Sequence, residues 1–266
     1  MQWSKLKNVI IAVLLVMNLS LLFLVLGEAV AEDGLELEAR AMALDFLTER
    51  GITVEESKIP REMTLLPQQL IWDRGEELQW ANALLGEVKE ESLGGEIVRY
   101  YNDSGEVRFH GNGEFYGSFV ADLWADKSPH EQAEYVMETL GYQGVLWKEE
   151  GGTLSYLQTA FQGIFWGCET SFIFSDGSLM EISQGKRLEG TYVQGEKEDS
   201  SIATALVQFY HGLGETICSK IYQVEPCYLV TTPLSSSAVL TPCWYFFTDS
   251  GDYILEPVAG VLEQVK

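Results

Sequence analysis

Cys243–Pro257, CWYFFTDSGDYILEP, holds two extended runs about a turn. Aromatic residues and Thr in the first run fit a pleated, half-buried surface. Asp249-Ser250-Gly251 supplies residues that tolerate left-handed backbone at a hairpin tip, and the apolar pattern resumes after it. Glu96–Gly111, EIVRYYNDSGEVRFHG, and Thr170–Ser183, TSFIFSDGSLMEIS, repeat the arrangement. Antiparallel hairpins are therefore expected, with tips at Asp103–Gly105, Asp176–Gly177 and Asp249–Gly251.

Helical periods separate these hairpins. In Leu35–Arg50, LELEARAMALDFLTER, apolar residues at Leu37, Ala41, Leu44 and Phe46 or Leu47 keep a helical spacing, and Gly51 supplies a stop. In Ser128–Gly141, SPHEQAEYVMETLG, Ser128 caps, Pro129 fits the first helical position, Glu131 closes a capping box and Gly141 ends the helix. A third helix runs from near Ser200 through Ile202, Leu206, Phe209 and Tyr210 to Gly212, and a short one falls within Trp72–Leu85. Each helix has one apolar face, which calls for a sheet to cover it. The expected class is α+β, with repeated units of a helix packed on antiparallel β-hairpins.

The amino terminus adds a different element. Val9 to Gly27 is an uncharged run of about 19 residues, which as a helix reaches roughly 28 Å, near the thickness of a bilayer's hydrocarbon core. Lys5 and Lys7 precede it, and Glu28, Glu32 and Asp33 follow. That asymmetry keeps the amino terminus in the cytosol and the remainder outside, as a single-pass membrane protein. Ala29-Val30-Ala31 offers a competing signal-peptide cleavage site, but the run is longer than a signal core and carries no Pro or Gly before Gly27. Within the span, Leu14, Asn18, Leu22 and Val25 share one helical face, and an amide in hydrocarbon seeks a hydrogen-bonding partner. Trp3 suits an interfacial anchor.

The net charge is −23. Because Lys5 and Lys7 are the bases before Glu32, the acidity lies downstream, on the exported part. Such a surface repels nucleic acid, whose binding depends on Lys and Arg. Roughly 235 residues remain outside, enough for proper cores. The chain divides into 1–31, a short tail and anchor; 32–126, a first α+β region; 127–198, a second unit; and 199–266, a third.

Signals for chemistry are sparse. His110, His130 and His211 are widely separated, and no Gly-x-Ser-x-Gly elbow, His-Glu-x-x-His helix or Gly-rich phosphate loop occurs. A glycosidase needs only two carboxylates across a sugar bond. Acids such as Asp122, Glu149 and Glu150 are too abundant to single out a pair, so exposed structural roles are the expectation. Cys168, Cys218, Cys227 and Cys243 permit two bridges in three connectivities, or buried thiols. The Cys218–Cys227 loop is short enough for neighbouring strands, and no Cys-x-x-Cys spacing suggests a metal. No catalytic residue, cofactor or metal is expected.

The opening MQWSKLKNVIIAVLLVMNLSLLF resembles the start of the YycH/YycI family, particularly YycI, in which a Trp-Ser-Lys-x-Lys segment runs directly into one membrane-spanning helix. The closing LTPCWYFFTDSGDYILEPVAGVLE resembles that family's last unit and the related PepSY-like pattern. The resemblance implies a non-enzymatic extracytoplasmic regulator of a two-component sensor histidine kinase in Gram-positive cell-wall homeostasis. It implies as partners the kinase's membrane region and a YycH-like sister protein, with Trp3–Leu26 contacting the kinase. The four Cys and the strong acidity depart from the family's picture. Alternatives from other classes are an extracytoplasmic ligand-binding or scaffold module and a secreted carbohydrate-active hydrolase.

Overall fold

The computed structural model describes residues 34–72, 75–188, 190–196, 201–234 and 237–265, with Met17. The anchor region, with Leu14, Asn18, Leu22 and Val25, lies outside the described residues. Among those described, no helix is long and apolar enough to cross a membrane.

Among the described residues a helix, here α1, runs through 34–49. Gly51 ends it at φ +82, a backbone conformation that favours glycine, and Ile52 N–H returns to the Leu47 carbonyl. The expected stripe holds in its second half, where Leu47 is buried and Leu44 and Phe46 pack on the core, and fails in its first, where Leu37 is 53% exposed and Ala41 is exposed while Arg40 and Ala43 are buried. Arg40 is inside because its guanidinium donates to the carbonyls of Glu56, at 2.7 Å, and Ile59, at 3.1 Å. A buried charge is tolerable only with such partners.

Three more helices follow: α2, Glu77–Leu85; α3, Pro129–Thr139; and α4, Ile202–Gly212. The capping box of α3 is complete. Ser128 Oγ accepts from Glu131 N–H, and the Glu131 carboxylate accepts from Ser128 N–H at 2.7 Å. Ser201 caps α4 by accepting from Thr204 N–H.

The strands are β1 (Thr53–Val54), β2 (Gln68–Trp72), β3 (Lys89–Gly94), β4 (Ile97–Asn102), β5 (Gly105–His110), β6 (Glu114–Phe119), β7 (Gln143–Glu150) and β8 (Thr153–Ala160). The rest are β9 (Gly163–Ser175), β10 (Ser178–Lys186), β11 (Gly190–Gln194), β12 (Lys220–Leu234), β13 (Ser237–Thr248), β14 (Gly251–Glu256) and β15 (Val261–Gln264). They join one open sheet whose main path is β11-β2-β13-β12-β9-β10-β6-β5-β4-β3. The β7–β8 hairpin is attached through β9, and the β14–β15 pair through β13. The class is α+β. All three expected tips close antiparallel hairpins, in β4–β5, β9–β10 and β13–β14. Among the described strands two pairings are parallel, β1 with β12 and β9 with β12.

Two main cores flank the long strand β9. One gathers α1 and α4 against β2, β12, β13 and β14, where Phe209 stacks on Phe246 with ring centroids 4.3 Å apart. The other gathers α2 and α3 against β4–β6 and β8–β10. Phe165 of β9 belongs to the first and Phe172 to the second, so one strand anchors both. Gln132 of α3 is nearly fully buried yet satisfied: its amide donates to the carbonyls of Lys127 and Gly177 and accepts from Leu179 N–H. That set ties α3 to the β9–β10 tip.

Candidate functional site

A third apolar cluster lies across the sheet from α1 and α4. Its origin is the period of two along strands. On β13, Trp244 and Phe246 enter the first core, whereas Cys243, Tyr245 and Phe247 face the other side. On β12, Tyr228 and Val230 alternate with Cys227 and Leu229 in the same way.

On β9 the alternation is broken locally. Gly167 sits at φ +88, so Trp166 faces the third cluster and Cys168, two residues on, faces the first core. The β7 strand contributes Trp147 through a register slip between Leu146 and Lys148 against β8. Such a bulge re-aims the extra side chain. Trp147 thereby meets Trp166 edge-on, at 4.9 Å and 87°.

The resulting wall is aromatic. Trp166 stacks on Tyr245 at 4.6 Å with planes 5° apart, and Tyr245 meets Phe247 at 4.4 Å. These rings, with Val145, Leu146, Leu157, Ile164, Pro226 and Cys227, line a hollow of about 210 Å³ that also reaches Glu225.

Its polar groups are few. Tyr245 donates its hydroxyl to Asp252 Oδ2 at 2.8 Å. Burial, then the bond to Asp252 and its charge, pushes the phenol above its ordinary range, so it stays a neutral donor. Burial, reinforced by the neighbouring Cys243 and by Glu225, raises the Cys227 thiol well above normal. Glu225 accepts from Gln223 Nε2 at 2.5 Å. Trp166 is 7% exposed, and its indole N–H has no hydrogen-bond partner among the described residues. Buried donors without partners are uncommon in folded proteins, and this one belongs to a residue that lines a hollow.

A second hollow, of about 240 Å³, lies beside α1 between Glu36, Leu37, Arg40, Arg61 and Glu62. Two arginines and two glutamates share its lining, and Arg40 already serves backbone carbonyls. The aromatic hollow is the better-defined candidate.

The other residues singled out in the sequence have local roles. Asp122 accepts from Ser178 Oγ at 3.0 Å in a turn, Glu149 lies 3.8 Å from His130, and Glu150 pairs with Lys148 at 2.9 Å. His110 packs on Tyr116, and His211 on Tyr210. The Cys218–Cys227 neighbourhood is corrected: Cys218 belongs to the first core and Cys227 to the cluster on the opposite face. The register instead places Cys227 across from Cys243. Sequence reading missed the aromatic wall, although the alternation of Cys243, Tyr245 and Phe247 was its visible signal. The contributions of Trp147 and Trp166 depend on a bulge and a left-handed glycine that leave no such pattern.

No family model matches the chain, and no curated protein matches its sequence. Among solved structures it is similar to an uncharacterized protein from Eubacterium rectale ATCC 33656, with TM-score 0.49 and 8% identity over 81% of this chain and 91% of that one. It is also similar to the Bacillus megaterium YpeB C-terminal domain, with TM-score 0.39 and 7% identity over 74% of this chain and 99% of that domain.

Proposed function

We propose that this chain is a non-enzymatic, single-pass membrane protein whose acidic α+β part lies outside the cell and regulates a sensor histidine kinase of a two-component system for cell-wall homeostasis, together with a YycH-like sister protein. The observation that carries the reading is the amino-terminal order: Lys5 and Lys7, the uncharged run Val9–Gly27, then Glu28, Glu32 and Asp33. Positive charge before an apolar span sets the orientation. In the span, Leu14, Asn18, Leu22 and Val25 form the face offered to the kinase's membrane region, with the Asn18 amide seeking a hydrogen bond there.

Membrane fractions should contain a chain that begins at or near Met1 by mass spectrometry, and the kinase should co-purify with it. Asn18→Leu should weaken that association roughly 3- to 30-fold, the equivalent of about 0.6–2 kcal/mol for one interhelical hydrogen bond, while insertion is retained. A soluble chain beginning at Glu32 overturns the anchor. Unchanged kinase recovery with the Asn18 variant overturns the polar contact.

A second reading, an extracytoplasmic ligand-binding module, is favoured by the aromatic hollow and by an indole N–H there that has no partner among the described residues. It is compatible with the first, since a regulator needs something to sense.

A further inference from the structure

We infer that the hollow between β7, β9, β12 and β13 is a peptide-binding site. An extended segment of a partner protein lies along β7, places an apolar side chain in the hollow, offers a backbone carbonyl to the Trp166 indole and turns a Lys or Arg toward Glu225. The inference goes beyond the kinase reading and stands without the membrane anchor.

The indole N–H comes first. It is a donor only, it is buried on a residue 7% exposed, and it has no partner among the described residues. Whatever fills the hollow must bring an acceptor. Tyr245 does not compete for that acceptor, because its hydroxyl hydrogen is committed to Asp252.

Size and walls narrow the occupant. About 210 Å³ accommodates one or two side chains and lies below the roughly 300–1,000 Å³ of sites that enclose drug-sized molecules. A saccharide carries many hydroxyls, whereas this wall is aromatic and aliphatic, with two indoles and one carboxylate as its main polar groups. A cage for a quaternary ammonium needs ring faces turned toward the cation. Here Trp166 and Tyr245 turn faces toward each other.

Position and charge point to a peptide. Among the described strands β7 pairs with β8 alone, so its other edge remains available to an added strand. Val145 and Leu146 are 42% and 43% exposed on it and also line the hollow. Strand addition draws affinity from main-chain hydrogen bonds and specificity from a side-chain pocket. Glu150 on β7 is already paired with Lys148, but Glu225 at the hollow, Glu149 on β7 and a net charge of −23 favour a basic segment.

The test uses the full chain in detergent micelles with its seven Trp replaced by 5-fluorotryptophan, the Trp166 fluorine signal being assigned by Trp166→Phe. The probe is a pentapeptide mixture, acetyl-Lys-X-X-X-Lys-amide with X drawn from Leu, Ile, Val and Pro. It should shift the Trp166 and Trp147 signals saturably and leave that of Trp80, in the other core, in place. A mixture with Glu at both ends should bind at least tenfold more weakly. Glu225→Gln should erase most of that preference, and Leu146→Asp, on the exposed strand edge, should weaken binding about tenfold with the far-UV spectrum unchanged. The inference is overturned by unmoved Trp166 and Trp147 signals at millimolar peptide, by equal binding of the Glu-ended mixture, or by saturable shifts with chitotriose or tetramethylammonium in its place.

Discussion

Cys227 and Cys243 stand directly opposite each other on the antiparallel strands β12 and β13, both on the face away from α1 and α4. Neither is in a disulfide, and both are at most 1% exposed. The raised Cys227 pKa leaves little thiolate at neutral pH, so thiol exchange there is slow. With cystamine as oxidant, one cysteine thiolate attacks the reagent's disulfide and releases a cysteamine. The facing thiol then displaces the second cysteamine and closes the bridge. The expected product retains two of the four thiols on titration after denaturation, with a peptide map joining Cys227 to Cys243. Its rate should rise with pH, and Cys243→Ala should abolish it. A Cys218–Cys227 link in that map rejects the register.

Asp249, at the tip of the β13–β14 hairpin, accepts from Ser219 Oγ and from the backbone N–H groups of Ser219 and Lys220. The Ser219 hydroxyl first, then Lys220 N–H, holds its carboxyl down at about 2, from an ordinary 3.8. A depressed carboxylate contributes stability that is present above the unfolded value and lost as pH falls through the folded one. The window is therefore about pH 4 to 2. Asp249→Asn should flatten the acid limb of the urea midpoint across that window and leave the neutral-to-alkaline profile unchanged in shape.

Ser128→Ala removes one half of the α3 capping box and leaves Glu131 N–H without its side-chain acceptor. The expected loss is about 1 kcal/mol. In urea unfolding this should appear as a lower midpoint at constant slope. Ser128→Asp, which restores an acceptor, should recover most of the loss.

Phe161 and Gln162 form the β8–β9 turn with φ of +51 and +65. Left-handed backbone costs an L-residue roughly 1–2 kcal/mol. Gln162 is exposed, so Gln162→Gly should relieve that strain and stabilise the chain by about 0.5–1 kcal/mol. Gln162→Val, β-branched, should destabilise it. Thermal midpoints of the two variants should move in opposite directions.

That same turn shows where sequence reading stopped. Asp103–Gly105, Asp176–Gly177 and Asp249–Gly251 carried turn chemistry in their residue types, and the Ser128–Glu131 box carried a helix start. These are short-range effects, decided by the side chain's own geometry and its nearest backbone neighbours. Phe161-Gln162 carries no such signature, since its left-handed backbone is held by the pairing of β8 with β9 and by packing of Phe161 on Tyr192, 4.8 Å between centroids. Arg40 likewise lies outside the apolar positions that the helical spacing picks out, and its buried place depends on the distant carbonyls of Glu56 and Ile59.

The α+β class, the hairpin tips, the α3 capping box and the acidity were legible along the chain, because each follows from composition or from residues a few positions apart. Which strands lie side by side was not, because it depends on long-range packing. The parallel register of Tyr228 with Phe165 and Leu229 with Trp166 joins positions more than sixty residues apart in the chain. No local preference specifies such a pairing; it is selected by the apolar area buried when both faces of β9 and β12 are covered. The aromatic hollow is a product of that choice. Trp147, Trp166 and Tyr245 come from three strands and meet because a bulge in β7 and a left-handed Gly167 in β9 turn their rings to one face.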